Sequence, residues 1–331
     1  MRRDRLFQTD LLVVAAVAFA YFLCAVGAIA FTRLSGNVAL LWIANGVLIA
    51  ALLTRPATER PLHIASCFAA SVAASVAVSP YTTLSPMFAV ANVAEALLAW
   101  ALLHRFRADA RIFLSLRALA GFVAAAGVVA PLVVGIMPGA ILALYQGGDP
   151  WVMWMNWGIG HGLGALIGTP IALLAMAGTT YRDRMSDPAA IPRIVGIGLL
   201  MVAVTCLCFA QTRLPLLFVP ILPLIAATMA FRVAGATLGV FLIAVIGAGF
   251  TVAGMGPLEL IDGSRAFHLQ FFQFYLAVLF LIAVPFATMI AQNQRLATAV
   301  AVSEARYRLI SDHVSDVVLT LDPKGEVQFA S

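Results

Sequence analysis

The sequence predicts an all-α protein that threads a membrane repeatedly and ends in a short soluble tail. Its hydrophobic fraction is 63%, only 11% of residues are charged, and the mean hydropathy is +1.00, all far from soluble averages. Apolar runs near the roughly 20 residues that a bilayer crossing needs recur about ten times. Basic residues gather in the short loops on one side of those runs, as topology signals do. The net charge of +5 over 331 residues therefore points to a lipid bilayer as partner and to no nucleic acid.

The candidate spans are 11–31, 38–53, 61–79, 86–104, 116–140, 151–177, 191–210, 214–231, 234–254 and 267–291. The first follows Met1–Arg5 and, with Ala28-Ile29-Ala30, resembles a secretory signal. Its apolar run is too long for one, and similar spans follow, so it is read as retained. The second and third are short, Pro131 and Pro138 interrupt the fifth, and only Gln211-Thr212-Arg213 parts the seventh from the eighth. The count is thus eight to ten. With ten spans and an inside amino terminus, the arginines at 2, 3, 5, 55, 60, 105, 107, 111, 117, 182, 184, 193 and 232 fall inside. Only Arg33, Arg213 and Arg265 fall outside, so both termini are expected in the cytoplasm. Cys24, Cys67, Cys206 and Cys208 all lie within spans, and their spacing suggests neither a disulfide framework nor a zinc site.

The sixth span is the most unusual. Trp151 to Pro170 carries three tryptophans, Asn156, His161 and a run of glycines. Trp154, Trp157, His161, Gly164 and Gly168 follow helical steps of three and four and share a face. Gly160, Gly164 and Gly168 recur every fourth residue, a spacing that lets a neighbouring backbone approach closely in lipid. An ionisable His in such a span is costly unless it faces protein or water. Trp151 and Trp154 read as interfacial; Trp157 is deeper and open to either reading.

A second ionisable group, Glu95, lies in the fourth span with Asn92 one turn earlier. Glu95 is nine residues past Pro86, about 14 Å, and His161 ten past Trp151, about 15 Å. Both spans run inward in this topology, so the two sit at similar depth, where carboxylate and imidazole offset each other's burial cost. Two readings of Glu95, Asn92, Asn156 and His161 stand: a ligand or proton site, or a polar clamp between helices. Trp42 and Asn45 lie in the outer half of the second span; Trp42 reads as an interfacial anchor and Asn45 as a donor across helices. Gln270, Gln273 and Tyr275 are placed near the outer end of the tenth span.

After the tenth span the composition changes. Leu296, Val300, Ser303, Tyr307 and Ile310 are spaced as a heptad seam weakened by Ser303, which suggests either a homodimeric coiled coil or a juxtamembrane helix. Val317–Leu321, the turn Asp322-Pro323-Lys324-Gly325 and Glu326–Phe329 then read as a hairpin. A lone hairpin is no stable domain, so Ser331 reads as a cut end. No phosphate-binding loop, zinc-protease or nucleophile-elbow motif is present, no residue pattern names a cofactor, and enzymatic activity is left open.

Trp42 and Gly46, then Asn92, Glu95 and Ala96, then Trp154, Trp157, Gly160, Gly164 and Pro170 resemble the motifs of the first-described MASE family of bacterial membrane-associated sensor domains. The tail, with Glu304, Arg306, Tyr307, Arg308, Asp316, Asp322, Gly325 and Ser331, resembles the opening of a PAS domain. The resemblance implies a sensor over 10–291, a signalling helix over 292–310 and an incomplete α/β PAS start over 311–331. It also implies the bacterial inner membrane and an output domain of GGDEF, EAL or histidine-kinase type, absent from these residues. Two departures stand out. His161 replaces a common Asp, which implies a different ligand or protonation window, and Ile43-Ala44-Asn45 stands where prolines are common. The candidate sensing residues are Asn45, Asn92, Glu95, Asn156, Trp157 and His161, with an unknown small ligand or membrane partner. The alternatives are a transporter coupled through Glu95 and His161, or a scaffold in which they serve as interhelical glue.

Overall fold

A computed structural model describes all residues except 1, 32–38, 79–81, 106–111, 177–187, 314–318 and 331. The topology arginines at 33, 107, 111, 182 and 184, and the tail residues Asp316 and Ser331, thus lie outside the described residues. The chain forms two compact units, Met1–Thr288 and Met289–Ser331.

The first unit is helical. Among the described residues, eight helices are long and apolar enough to cross a membrane. In chain order the elements are α1 (Arg2–Phe31), α2 (Ala44–Thr54), α3 (Arg60–Val78), α4 (Ser85–Arg105), α5 (Leu116–Phe122), α6 (Ala130–Val134), α7 (Ile136–Gln146), α8 (Pro150–Met176), α9 (Ile191–Phe209), α10 (Ile221–Val252) and α11 (Arg265–His313).

Three expected spans depart from a simple rod. The second, 38–53, is helical only as α2, whose 11 residues reach about 17 Å, half of a hydrocarbon core of about 30 Å. Residues 39–43 ahead of it are not helical. Irregular backbone survives at membrane depth only when protein covers it, and here Ala39, Leu40, Leu41 and Trp42 are all buried. Their polar groups are matched as well: Trp42 N donates to Gly160 O at 3.0 Å, and Gln273 Nε2 donates to Leu40 O at 2.7 Å.

The fifth span runs through α5, a π-helical stretch Val123–Val129 and α6. Pro131 has no N–H and crowds the carbonyl four residues back, at Gly127, so the ladder widens there. The widened turn lies against α8, where a side chain at Gly162 would overlap the Gly127 carbonyl. The expected break at Pro138 falls instead at Gly135, between α6 and α7.

The eighth and ninth spans, expected at 214–231 and 234–254, form one element, α10, broken at Arg232 (φ 54°, ψ −129°). The chain reverses there. Gly235 lies against the Ala227 carbonyl and Gly239 against Leu224, so the arms before and after Arg232 run side by side in opposite directions. Residues 214–220 ahead of α10 are not helical, which suits Pro215 and Pro220.

The second unit holds the distal part of α11 and a hairpin of β1 (Leu319–Leu321) and β2 (Val327–Ala330). The strands pair antiparallel, Leu319 opposite Ala330 and Leu321 opposite Val327. Asp322 Oδ1 accepts from the backbone N–H of Lys324 at 2.8 Å and of Glu326 at 2.9 Å. Gly325 sits at φ +89°, a left-handed conformation that glycine adopts without strain. Leu296, Val300 and Tyr307 of the heptad seam are exposed; the side chain of Ile310 lies outside the described residues.

Candidate functional site

Four elements bring the central polar cluster together: α1, the 39–43 segment with the start of α2, α4 and α8. Glu95 on α4 is its hub. Asn45 Nδ2 donates to Glu95 Oε1 at 2.8 Å. Trp157 Nε1 donates to Oε2 at 3.3 Å, and His161 Nδ1 lies 2.9 Å from the same oxygen. Glu95 is 1% exposed and His161 2%.

Donor-only groups fix the directions of these bonds. An indole N–H can only donate, and Trp42 Nε1 lies 3.1 Å from Asn45 Oδ1. The Asn45 oxygen therefore faces Trp42, where it also accepts from the Tyr21 hydroxyl at 3.1 Å, and its amide NH2 faces Glu95. Both carboxylate oxygens thus act as acceptors, the pattern an ionised carboxylate supplies. The His161 ring stacks between two indoles: its centroid is 5.3 Å from Trp42 at 8° between planes and 3.9 Å from Trp157 at 21°. Indole faces attract a cation, so the sandwich suits an imidazolium as well as a neutral ring.

The approach of the elements depends on absent side chains. A Cβ at Gly160 would meet the Ala39 carbonyl at 2.5 Å, one at Gly164 would overlap the Trp42 backbone, and one at Gly168 would meet the Ile43 carbonyl at 2.6 Å. From the other side Gly46 faces the backbone of Gly168 and Thr169. The glycine face of α8 therefore seats the irregular segment that carries Trp42.

The sequence-derived candidates fall into two groups. Asn45, Glu95, Trp157 and His161 meet in the cluster. Asn92 and Asn156 lie outside it. Asn92 Nδ2 donates to Ser71 Oγ of α3 at 3.0 Å, because one turn along α4 the side chain already looks toward a different neighbour. Asn156 Oδ1 accepts from Gln270 Nε2 of α11 at 3.0 Å. Trp42, read as an interfacial anchor, is instead buried against His161. Tyr21 was not anticipated, although a phenol ten residues into an apolar span is a hydroxyl that needs a partner. Trp151 is exposed, and Trp154 Nε1 donates to Leu132 O at 2.7 Å. Among the described residues, no group of three His, Cys, Asp or Glu could hold a metal ion.

Fold and cluster together define a multi-pass α-helical membrane protein with an ionisable pair buried in its interior. The MASE1 family model matches residues 11–294, and the chain belongs to that family of membrane-associated sensory domains, typically found in signalling proteins. No curated protein and no solved structure matches the chain.

Proposed function

We propose that the chain is the sensory input module of a bacterial signal-transduction protein in the inner membrane, with both termini in the cytoplasm and the Glu95 cluster as the responsive element. One observation carries the reading: the cluster and the last membrane helix share the same support. The segment that presents Trp42 to His161 also presents Leu40 O to Gln273 of α11, while α8 reaches α11 through Asn156 and Gln270. A change in the charge or contacts of His161 would move this segment and, with it, the hydrogen-bonded start of α11. A ligand shifts such an equilibrium only by its differential affinity for the two arrangements. From α11 the signal would pass along 292–310, paired in a homodimer through its exposed seam, to a PAS domain beginning near 311. The output would be a diguanylate cyclase, a phosphodiesterase or a histidine kinase.

The test needs the gene beyond the codon for Ser331. If the frame continues into such an output domain, Glu95→Gln and His161→Gln are made in the full-length protein. Cyclic-dinucleotide content or autophosphorylation is then measured at matched membrane abundance. An altered output with unaltered abundance supports sensing. An unaltered output together with lowered stability would reduce the cluster to a clamp.

A further inference from the structure

Against Leu41 and Ile43 of the 39–43 segment lies a cavity of about 680 Å³, within the ~300–1,000 Å³ range of small-molecule sites. Its walls come from α1, the 39–43 segment with α2, α8 and the second arm of α10, and they include Cys24, Gly27, Leu41, Ile43, Phe241 and Gly249. No charged, hydroxyl or amide side chain lines it. All four walls belong to membrane-embedded elements, and Val245 on the rim is exposed, so the cavity opens sideways into lipid.

Gly27, Gly168 and Gly249 lie in the wall. Gly168 is explained by the Ile43 carbonyl against it, but a Cβ at Gly27 or Gly249 would meet nothing within 4 Å. Glycine inside a helix is less favourable than alanine, and among the described residues nothing occupies the place of a Cβ at either position. Both keep open the space that the cavity occupies.

We infer that this cavity binds an acyl chain of a bilayer lipid, which enters sideways and leaves its headgroup outside. A ligand with a polar ring or buried carboxyl would find no hydrogen-bond partner among the lining side chains, and such a group is costly to bury unmatched. A hydrocarbon chain needs none. The occupant would press on Leu41 and Ile43, which alternate with the Trp42 that stacks on His161. What occupancy does rests on the sensory reading; the occupancy itself does not.

The experiment uses the whole chain in phosphatidylcholine nanodiscs doped with a phospholipid that carries a diazirine within one acyl chain. After irradiation, adducts are mapped by mass spectrometry. The expected result is a several-fold excess of label on 20–28, 168–176 and 241–252 over the lipid-exposed Leu199 and Leu207 of α9. In Gly27→Leu and Gly249→Leu, whose Cβ atoms meet nothing within 4 Å and whose side chains take up cavity space, the excess disappears. Label spread evenly over lipid-facing residues, or unchanged by both substitutions, overturns the inference. So does label obtained from a diazirine fatty acid but not from the phospholipid. Should either variant fail to fold, the Cys24 thiol reports instead, in a chain whose other three cysteines are alanine: alkylation by N-ethylmaleimide should speed up in delipidated detergent relative to nanodiscs. Equal rates in both overturn occupancy. None of these outcomes touches the output tests on Glu95 and His161, so failure here leaves the sensory reading standing.

Discussion

Helices α8 and α9 are both apolar enough to cross a bilayer, and α9 is the more hydrophobic, yet 78% of the most apolar stretch of α8 is buried in the protein against 17% for α9. In water the ranking would be reversed. In lipid, apolar surface gains little by leaving hydrocarbon for protein, so burial follows small residues that admit backbones and polar groups that need partners. α8 has both, in Gly160, Gly164 and Gly168 and in Asn156 and His161. α9 also has glycines, Gly196 and Gly198, but a Cβ at either meets nothing within 4 Å. What a glycine faces decides its meaning.

The comparison breaks most visibly at these glycines. Gly164→Leu would drive a side chain into the Trp42 backbone and is expected to cost more than about 4 kcal/mol, the range reserved for disrupted cores. Gly198→Leu should change stability by less than about 0.5 kcal/mol. Size-exclusion profiles and thermal unfolding in detergent measure both, and a monodisperse, stable Gly164→Leu protein would dissolve the distinction between the helices.

A smaller effect is expected at the hub. Glu95→Ala leaves the Asn45 amide, the Trp157 indole and His161 without their acceptor, a loss of about 3–5 kcal/mol for a broken buried pair. Glu95→Gln turns an amide NH2 toward donors on one side only and should cost about 1–3 kcal/mol. Equal losses for the two, by unfolding in the same detergent, would mean that donor direction is unimportant here. Smaller again is the Asn156–Gln270 bond: a double-mutant cycle of Asn156→Leu and Gln270→Leu should return about 0.6 kcal/mol, typical of interhelical bonds in membranes. At the lower end, Leu207→Ala on α9 exchanges one lipid contact for another and should fall within about 0.5 kcal/mol of the parent.

The helical class was legible because hydropathy and span length are local properties of the chain, and the polar hub was legible in part for the same reason. Glu95 and His161 stand out as ionisable groups in apolar runs. Their companions do not. Trp42 in a span looks like any interfacial anchor until the segment around it proves irregular, and that irregularity is imposed by the α8 glycines more than a hundred residues away. Tyr21 carries no local mark that points it toward Asn45. Asn92 and Glu95 sit three apart on one helix and so look like partners, yet α3 claims one and the cluster claims the other. The reversal at Arg232 was equally hidden: the boundary between spans was visible, but the sequence cannot distinguish a loop from a helix folded back at a single residue.

The shortness of α2 has an electrostatic consequence. Because the helix begins at Ala44, inside the protein, its first turn carries Asn45, whose side chain reaches the Glu95 carboxylate. The amino end of a helix carries roughly half a positive elementary charge, and broken helices in membranes aim these ends at anionic groups. The start of α2 thus stands one side chain, Asn45, away from Glu95, and its dipole favours negative charge there.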